Sequence, residues 1–168
     1  MYYYNPVIQD AFNENLQAWC LGGPKENGWT RTGDAVPCPT ITLVSYELRS
    51  ISVEEVFAKN ATEVTRWHLS FLNEHRRSSS FHWEETEYYR LYLRPRMSRD
   101  ESNTRVRSFL KLFDSISKHG VRKAVWVVDT RSILPCDYFR FDGCHRTCCA
   151  KMCGINTVPA WVFNTRCA

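Results

Sequence analysis

A chain of 168 residues that is 43% hydrophobic is long enough to bury a core, and short enough that one domain with an N-terminal extension is the default reading. No apolar run reaches the roughly 18 residues a membrane-spanning helix needs, and the opening Met1-Tyr2-Tyr3-Tyr4-Asn5-Pro6 lacks the basic start and apolar run of a secretory signal. A soluble, cytoplasmic protein without a membrane partner is therefore expected. The net charge of +4 is unevenly spread: residues 103–168 carry 11 Lys and Arg against 4 Asp and Glu, and residues 1–102 carry 11 against 14. Such a C-terminal half favours an anionic ligand, a nucleotide first and nucleic acid as a further option, although no Lys/Arg run is present. Eight cysteines are many, and four fall between Cys144 and Cys153. Without a secretory signal they read as reduced thiols and not as a disulfide framework.

In chain order, residues 20–40 hold four of the seven glycines and three of the seven prolines and read as loop. They separate an aromatic N-terminal tail from the body. Ile41 to Tyr46 is a β-branched run suited to a strand, and Val53 to Phe57 suits either a second short strand or a helix start. From Ala61 to His75 the apolar positions Val64, Trp67, Leu69 and Leu72 fit a helix loosely, and Arg76 to Ser80 ends it. Trp83 to Leu93 gives a second helical segment, stopped before Pro95. After Asn103 the pattern sharpens: Val106, Phe109, Leu110, Phe113 and Ile116 recur at spacings of three and four, with Lys118 and His119 in the last turn and Gly120 as the cap. Ala124 to Val128 reads as a strand apolar on both faces, hence central. Tyr138 to Phe141 is the next strand, followed by Asp142-Gly143, a helix from Cys144 to Cys153, Gly154 as terminator, and a last strand from Thr157 to Phe163.

A strand that ends in a Gly turn and feeds directly into a helix aims free backbone N–H groups and the positive end of the helix dipole at an anion. Phosphate is the natural candidate. Gly143 permits the turn, Arg146 offers a planar fork of donors matched to phosphoryl oxygens, and His145 can add another donor.

The order of these parts resembles the ParB/sulfiredoxin superfamily. The resemblance covers about 60 residues within Thr104 to Phe163 and rests on Asp114-Ser115-Ile116, Gly120, Val125 to Val128, Tyr138 to Phe141, Gly143-Cys144-His145-Arg146, Gly154 and Val158-Pro159-Ala160. It implies an α/β fold with a small mixed sheet and packed helices, residues 101–168 forming the nucleotide-binding domain and residues 1–100 an N-terminal extension packed on it. Gly143-Cys144-His145-Arg146 is similar to the sulfiredoxin signature, which makes Cys144 the nucleophile, its thiolate favoured by the helix N-terminus, by protonated His145 and by Arg146. Asp142 stands where sulfiredoxins have glycine, and Asp-Gly-x-His-Arg is the commoner ParB-like form. Asp142 would then position Mg²⁺ or tie the loop to Arg146. In sulfiredoxin-like proteins the preceding helix reaches the nucleotide, which maps onto Ser115 and Lys111.

The implied function is nucleotide binding with ATP-dependent phosphoryl transfer and Mg²⁺, in the sulfiredoxin form the reduction of a cysteine sulfinic acid on a peroxiredoxin-like protein, in another form transfer to a small-molecule acceptor. The alternatives are a ParB-like CTP-binding or DNA-acting regulator of the partition or nuclease kind, and a degenerate interaction module. No metal is expected on the cysteines. Cys144 with Cys148, His145 with Cys149 and Cys149 with Cys153 are i, i+4 pairs, but one helix cannot converge four ligands without Cys136 or Cys167. Cys148, Cys149 and Cys153 read instead as small buried hydrophobes.

Overall fold

A computed structural model of the chain describes residues 41–57, 63–78, 80–129 and 138–167. The expected loop of residues 20–40, and the aromatic tail before it, lie outside the described residues. Four strands form one mixed sheet: β1 (Ile41–Ser52), β2 (Val125–Asp129), β3 (Tyr138–Asp142) and β4 (Thr157–Cys167). Their spatial order is β1-β4-β2-β3, with β4 antiparallel to β1 and parallel to β2, and β2 antiparallel to β3. The helices are α1 (Val53–Phe57), α2 (Glu63–Arg77), α3 (Arg99–His119) and α4 (Cys144–Met152). The expected α/β class with a small mixed sheet and packed helices is what forms.

β1 outruns its expected length because nearly all of it pairs with β4, from Ile41 opposite Cys167 to Ser52 opposite Thr157. Val53 to Phe57, suited by sequence to either strand or helix, is a helix. It starts where Val53 N–H leaves the β1 ladder and donates to the Asn156 carbonyl at 2.9 Å. α3 begins earlier than its apolar periodicity suggests, because Ser98 and Glu101 form a reciprocal capping box. Gly120 closes it at φ 70°. The segment from Trp83 is not an α-helix throughout. Residues Trp83–Glu85 form a 3₁₀ turn, and Tyr88–Leu93 form a π-helix that buries Tyr88, Tyr89, Tyr92 and Leu93. The Thr86 hydroxyl donates to the Trp83 carbonyl at 2.7 Å and accepts from Tyr89 N–H at 3.2 Å, so this side chain competes with the regular helical ladder.

One apolar core joins β1, α1, α2, the π-helical segment, α3, β2, α4 and β4, from Ile51 through Phe71, Tyr88 and Phe109 to Val162. The division expected at residues 100 and 101 thus falls inside α3, and the described residues on either side of it share this core. α4 lies at the centre, touching β2 and β4 on one side and α1, α2 and α3 on others. A helix enclosed in this way must present small residues in several directions. Thr147, Cys148, Cys149 and Ala150 are all buried. No helix among the described residues is long and apolar enough to cross a membrane.

Candidate thiol site at the start of the central helix

Gly143 decides how α4 meets the sheet. It sits at φ 96°, a left-handed conformation, and a β-carbon there would lie 2.6 Å from Val125 Cγ1 and 3.1 Å from Arg146 Nη2. Only glycine lets the chain leave β3 against the start of β2. The first helical backbone bond of α4 runs from Thr147 N–H to the Gly143 carbonyl at 2.9 Å, and the Thr147 hydroxyl donates to the same carbonyl at 2.6 Å. The N–H groups of Cys144, His145 and Arg146 therefore precede the helical ladder, as an anion site requires.

Cys144, the first residue of α4, turns its sulfur toward α2 and β3. Arg140 Nη2 donates to Cys144 Sγ at 3.4 Å, His68 Nδ1 lies 3.7 Å from it and Thr65 Oγ1 3.9 Å. Arg140 is fixed by further bonds to Thr147 Oγ1 at 3.3 Å and Thr65 Oγ1 at 3.4 Å, with its guanidinium over the Phe57 ring. The hydrogen bond from Cys148 holds the Cys144 thiol well below the usual range, and His68 and the Arg140 charge add to this against the opposing effect of burial. Cys148 moves the other way, raised by that same bond and by burial. The two thiols are thus shifted apart, and it is Cys144 that is favoured toward the thiolate, because the cation and the helix N-terminus stand on its side.

His68 is fully buried. Its ring packs against Tyr88 at 4.9 Å, Phe109 at 5.3 Å, Tyr92 at 5.8 Å and His145 at 4.4 Å. His145 also packs on Phe109 at 4.6 Å, and burial, then His68, pushes it down to about 3. It is neutral near pH 7. The role expected for a protonated His145 beside the thiolate falls to Arg140 instead, because the His145 ring turns inward among aromatics where a charge would lose its solvation. The His145 Nε2, His68 Nε2 and Arg146 Nε atoms are buried without a hydrogen-bond partner.

Arg146 donates to Asp142 Oδ2 at 2.6 Å, one helical turn back. The bond to Arg146 is one of the two roles expected of Asp142, tying the loop to the helix. Gly143, Cys144, Arg146 and Asp142 are therefore together at the α4 start. Lys111 and Ser115 are not drawn in: both are exposed, on the face of α3 opposite the buried row Ser102, Val106, Phe109, Phe113 and Ile116. Sequence reasoning missed three residues of the thiol site, Thr65, His68 and Arg140. Arg140 had a partial signal, as a basic residue on the strand that leads into the glycine turn, but the register shift between its partner Val127 and Trp126, which faces Asp142, means that simple alternation does not place it. For Thr65 and His68 there was none.

The fold and this site define a mixed α/β protein with a hydrogen-bonded, charge-stabilised cysteine at the N-terminus of a buried helix. Compared with models of known families, with curated proteins and with solved structures, the chain finds no match in any of the three.

Proposed function

We propose that the protein is a nucleotide-dependent thiol enzyme of the ParB/sulfiredoxin type, with Cys144 as nucleophile. The observation that carries this reading is the Cys144 sulfur itself, paired with Arg140 at 3.4 Å and His68 at 3.7 Å at the first turn of α4. Few structural cysteines are surrounded by a cation and hydrogen-bond donors that all favour the thiolate. The residues fit a nucleotide's phosphates in kind: three N–H groups ahead of the helical ladder, and Arg146, whose Nε is buried and unpartnered. They fit Mg²⁺ less well, because the Asp142 carboxylate is engaged by Arg146. Any metal there would be held chiefly by the phosphates.

ATP, when bound, would supply a phosphoryl group that converts one oxygen of a sulfinic acid on a peroxiredoxin-like protein into a leaving group. The Cys144 thiolate would then attack the sulfinyl sulfur, forming a sulfur–sulfur bond as phosphate departs. Arg140 and the N–H groups of α4 orient the thiolate before attack and offset the phosphate charge. The fully buried His68 ring, itself packed on Tyr88 and Phe109, keeps water from its side of the sulfur.

Calorimetric titration with ATP, ADP and CTP, with and without Mg²⁺, tests the reading. ATP is expected to bind, and Arg146→Ala to weaken it about 30- to 150-fold, the loss of about 2–3 kcal/mol of charge-assisted bonds. A preference for CTP would indicate a partition-type regulator, and binding of none would indicate an interaction module.

A further inference from the structure

Three ligand-type atoms converge where α2 meets α4: His68 Nδ1, Cys144 Sγ and Cys148 Sγ all lie within 4.8 Å of one another. We propose that they form a site for a thiophilic metal ion, Zn²⁺ in the first instance, bound by three protein ligands with the fourth position open. The proposal goes beyond the nucleotide-thiol reading and does not rest on it.

Bond lengths decide whether the geometry is suitable. Zinc–sulfur and zinc–nitrogen bonds of about 2.3 and 2.0–2.1 Å in a tetrahedron place neighbouring ligand atoms about 3.6 Å apart for N and S, and about 3.8 Å apart for two sulfurs. His68 Nδ1 and Cys144 Sγ already stand 3.7 Å apart. The remaining separations, at most 4.8 Å, need to close by no more than about 1.2 Å. The His68 ring is held against four other rings and is pre-oriented. Two thiolates neutralise a divalent ion, so binding would release to solvent whatever protons the two thiols hold. Arg140 and Thr65, both beside the Cys144 sulfur, take the place of outer hydrogen-bond donors. By sequence a metal was not expected, since a single helix would have to provide the ligands with help from Cys136 or Cys167. α2 crosses α4 and brings His68 from outside it, and an open fourth position removes the need for another cysteine.

The second nitrogen of His68 limits the affinity. His68 Nε2 is buried without a partner, whereas the second ring nitrogen of a metal-bound histidine usually donates to one, at a cost of about 10- to 100-fold in affinity when it is lost. The site therefore suits a metal that comes and goes better than one held permanently. A bound ion would hold a lone pair of the same sulfur, so it would lower the nucleophilicity of Cys144 below that of the free thiolate.

The test uses the reduced, chelator-treated full chain titrated anaerobically with Co²⁺ as a spectroscopic probe. A thiolate-to-cobalt charge-transfer band should saturate at one equivalent and be displaced by Zn²⁺. Cys148→Ser and His68→Asn should each weaken binding more than about 100-fold, beyond the range of an outer-shell change, and Cys153→Ser should leave it unchanged. Zinc should also protect Cys144 and Cys148, mapped by mass spectrometry, from iodoacetamide. Absence of the band, its survival in Cys148→Ser, or zinc protection confined to other cysteines would overturn the site. Should His68→Asn fail to fold, the Cys148→Ser result decides. Alkylation of Cys144 in metal-free protein judges the thiol reading separately: fast labelling without metal binding rejects only the metal site, and metal binding with slow labelling rejects only the nucleophile.

Discussion

The cysteines of the nine-residue helix α4 and of its C-cap, Cys153, fall into two sets with opposite surroundings. Toward α2 and β3, Cys144 meets Arg140, His68 and the Cys148 thiol, and its own thiol is held well below the usual range. On another face, Cys149 is enclosed by apolar neighbours, and burial, with Cys153 and Cys144 nearby, pushes it up to about 12. Cys153, at the far end, is raised by burial as well. Residue type and helix are the same in each case. What differs is the elements packed alongside, since a β3 arginine and an α2 histidine reach only the first turn. Reactivity on this helix is thus assigned by its neighbours.

The largest expected effect is on alkylation. At pH 7 a thiol at about 12 is ionised to only about one part in 100,000, so limited iodoacetamide labelling should modify Cys144 at least about 100-fold faster than Cys149, even allowing for the lower nucleophilicity of a stabilised thiolate. Equal rates in peptide maps would erase the contrast between the two faces. Bound ATP should slow Cys144 by occupying the same N–H groups.

A smaller effect should follow from Gly143→Ala, which forces a left-handed β-carbon against Val125 at 2.6 Å. Urea unfolding should show a loss of about 2–3 kcal/mol. Since the substitution unseats the first turn of α4, the labelling preference for Cys144 should shrink while Cys149 stays slow. A change within error in urea would mean that the close approach to β2 is not needed to seat the helix.

Taken per pH unit, the smallest effect is the pH dependence caused by His145, the inward-facing neighbour of Cys144. It is neutral in the fold down to about 3, while the unfolded chain takes up a proton near its ordinary value of about 6.5. Below that value the unfolded state binds more protons, so stability is full above about 6.5 and falls with decreasing pH, by up to about 1.4 kcal/mol per pH unit from this group. His145→Gln should make the urea midpoint less dependent on pH between 6.5 and about 4 than in the parent protein. Matching slopes would show that the ring is accessible to protons, and the aromatic enclosure around His68 would have to be redrawn.

Much of the fold was legible because local signals were strong. The row Val106, Phe109, Phe113 and Ile116 marked α3, Gly143 marked the turn into α4, and the run Val125 to Val128 marked a central strand. α2 is only loosely legible, and for a physical reason. Its buried stripe is Thr65, His68, Phe71 and Leu72, so two of the four positions facing the core are polar. An apolar periodicity cannot register a stripe that gives half its positions to a site. The π-helix of residues 88–93 escaped for a similar reason, since periodicity at 3.6 residues does not describe it.

By itself the sequence determined α3, the strands from Val125 and from Tyr138, the glycine turn and the cysteine that opens α4, because each comes from short-range sterics and from the spacing of apolar residues. Only the tertiary structure decided which cysteine is shifted toward the thiolate, that His145 turns inward while Arg140 turns toward the sulfur, and that His68, 76 residues before Cys144, stands beside it. Those outcomes depend on distances between segments far apart in the chain, and electrostatics within a core is set by such distances and not by neighbours in sequence.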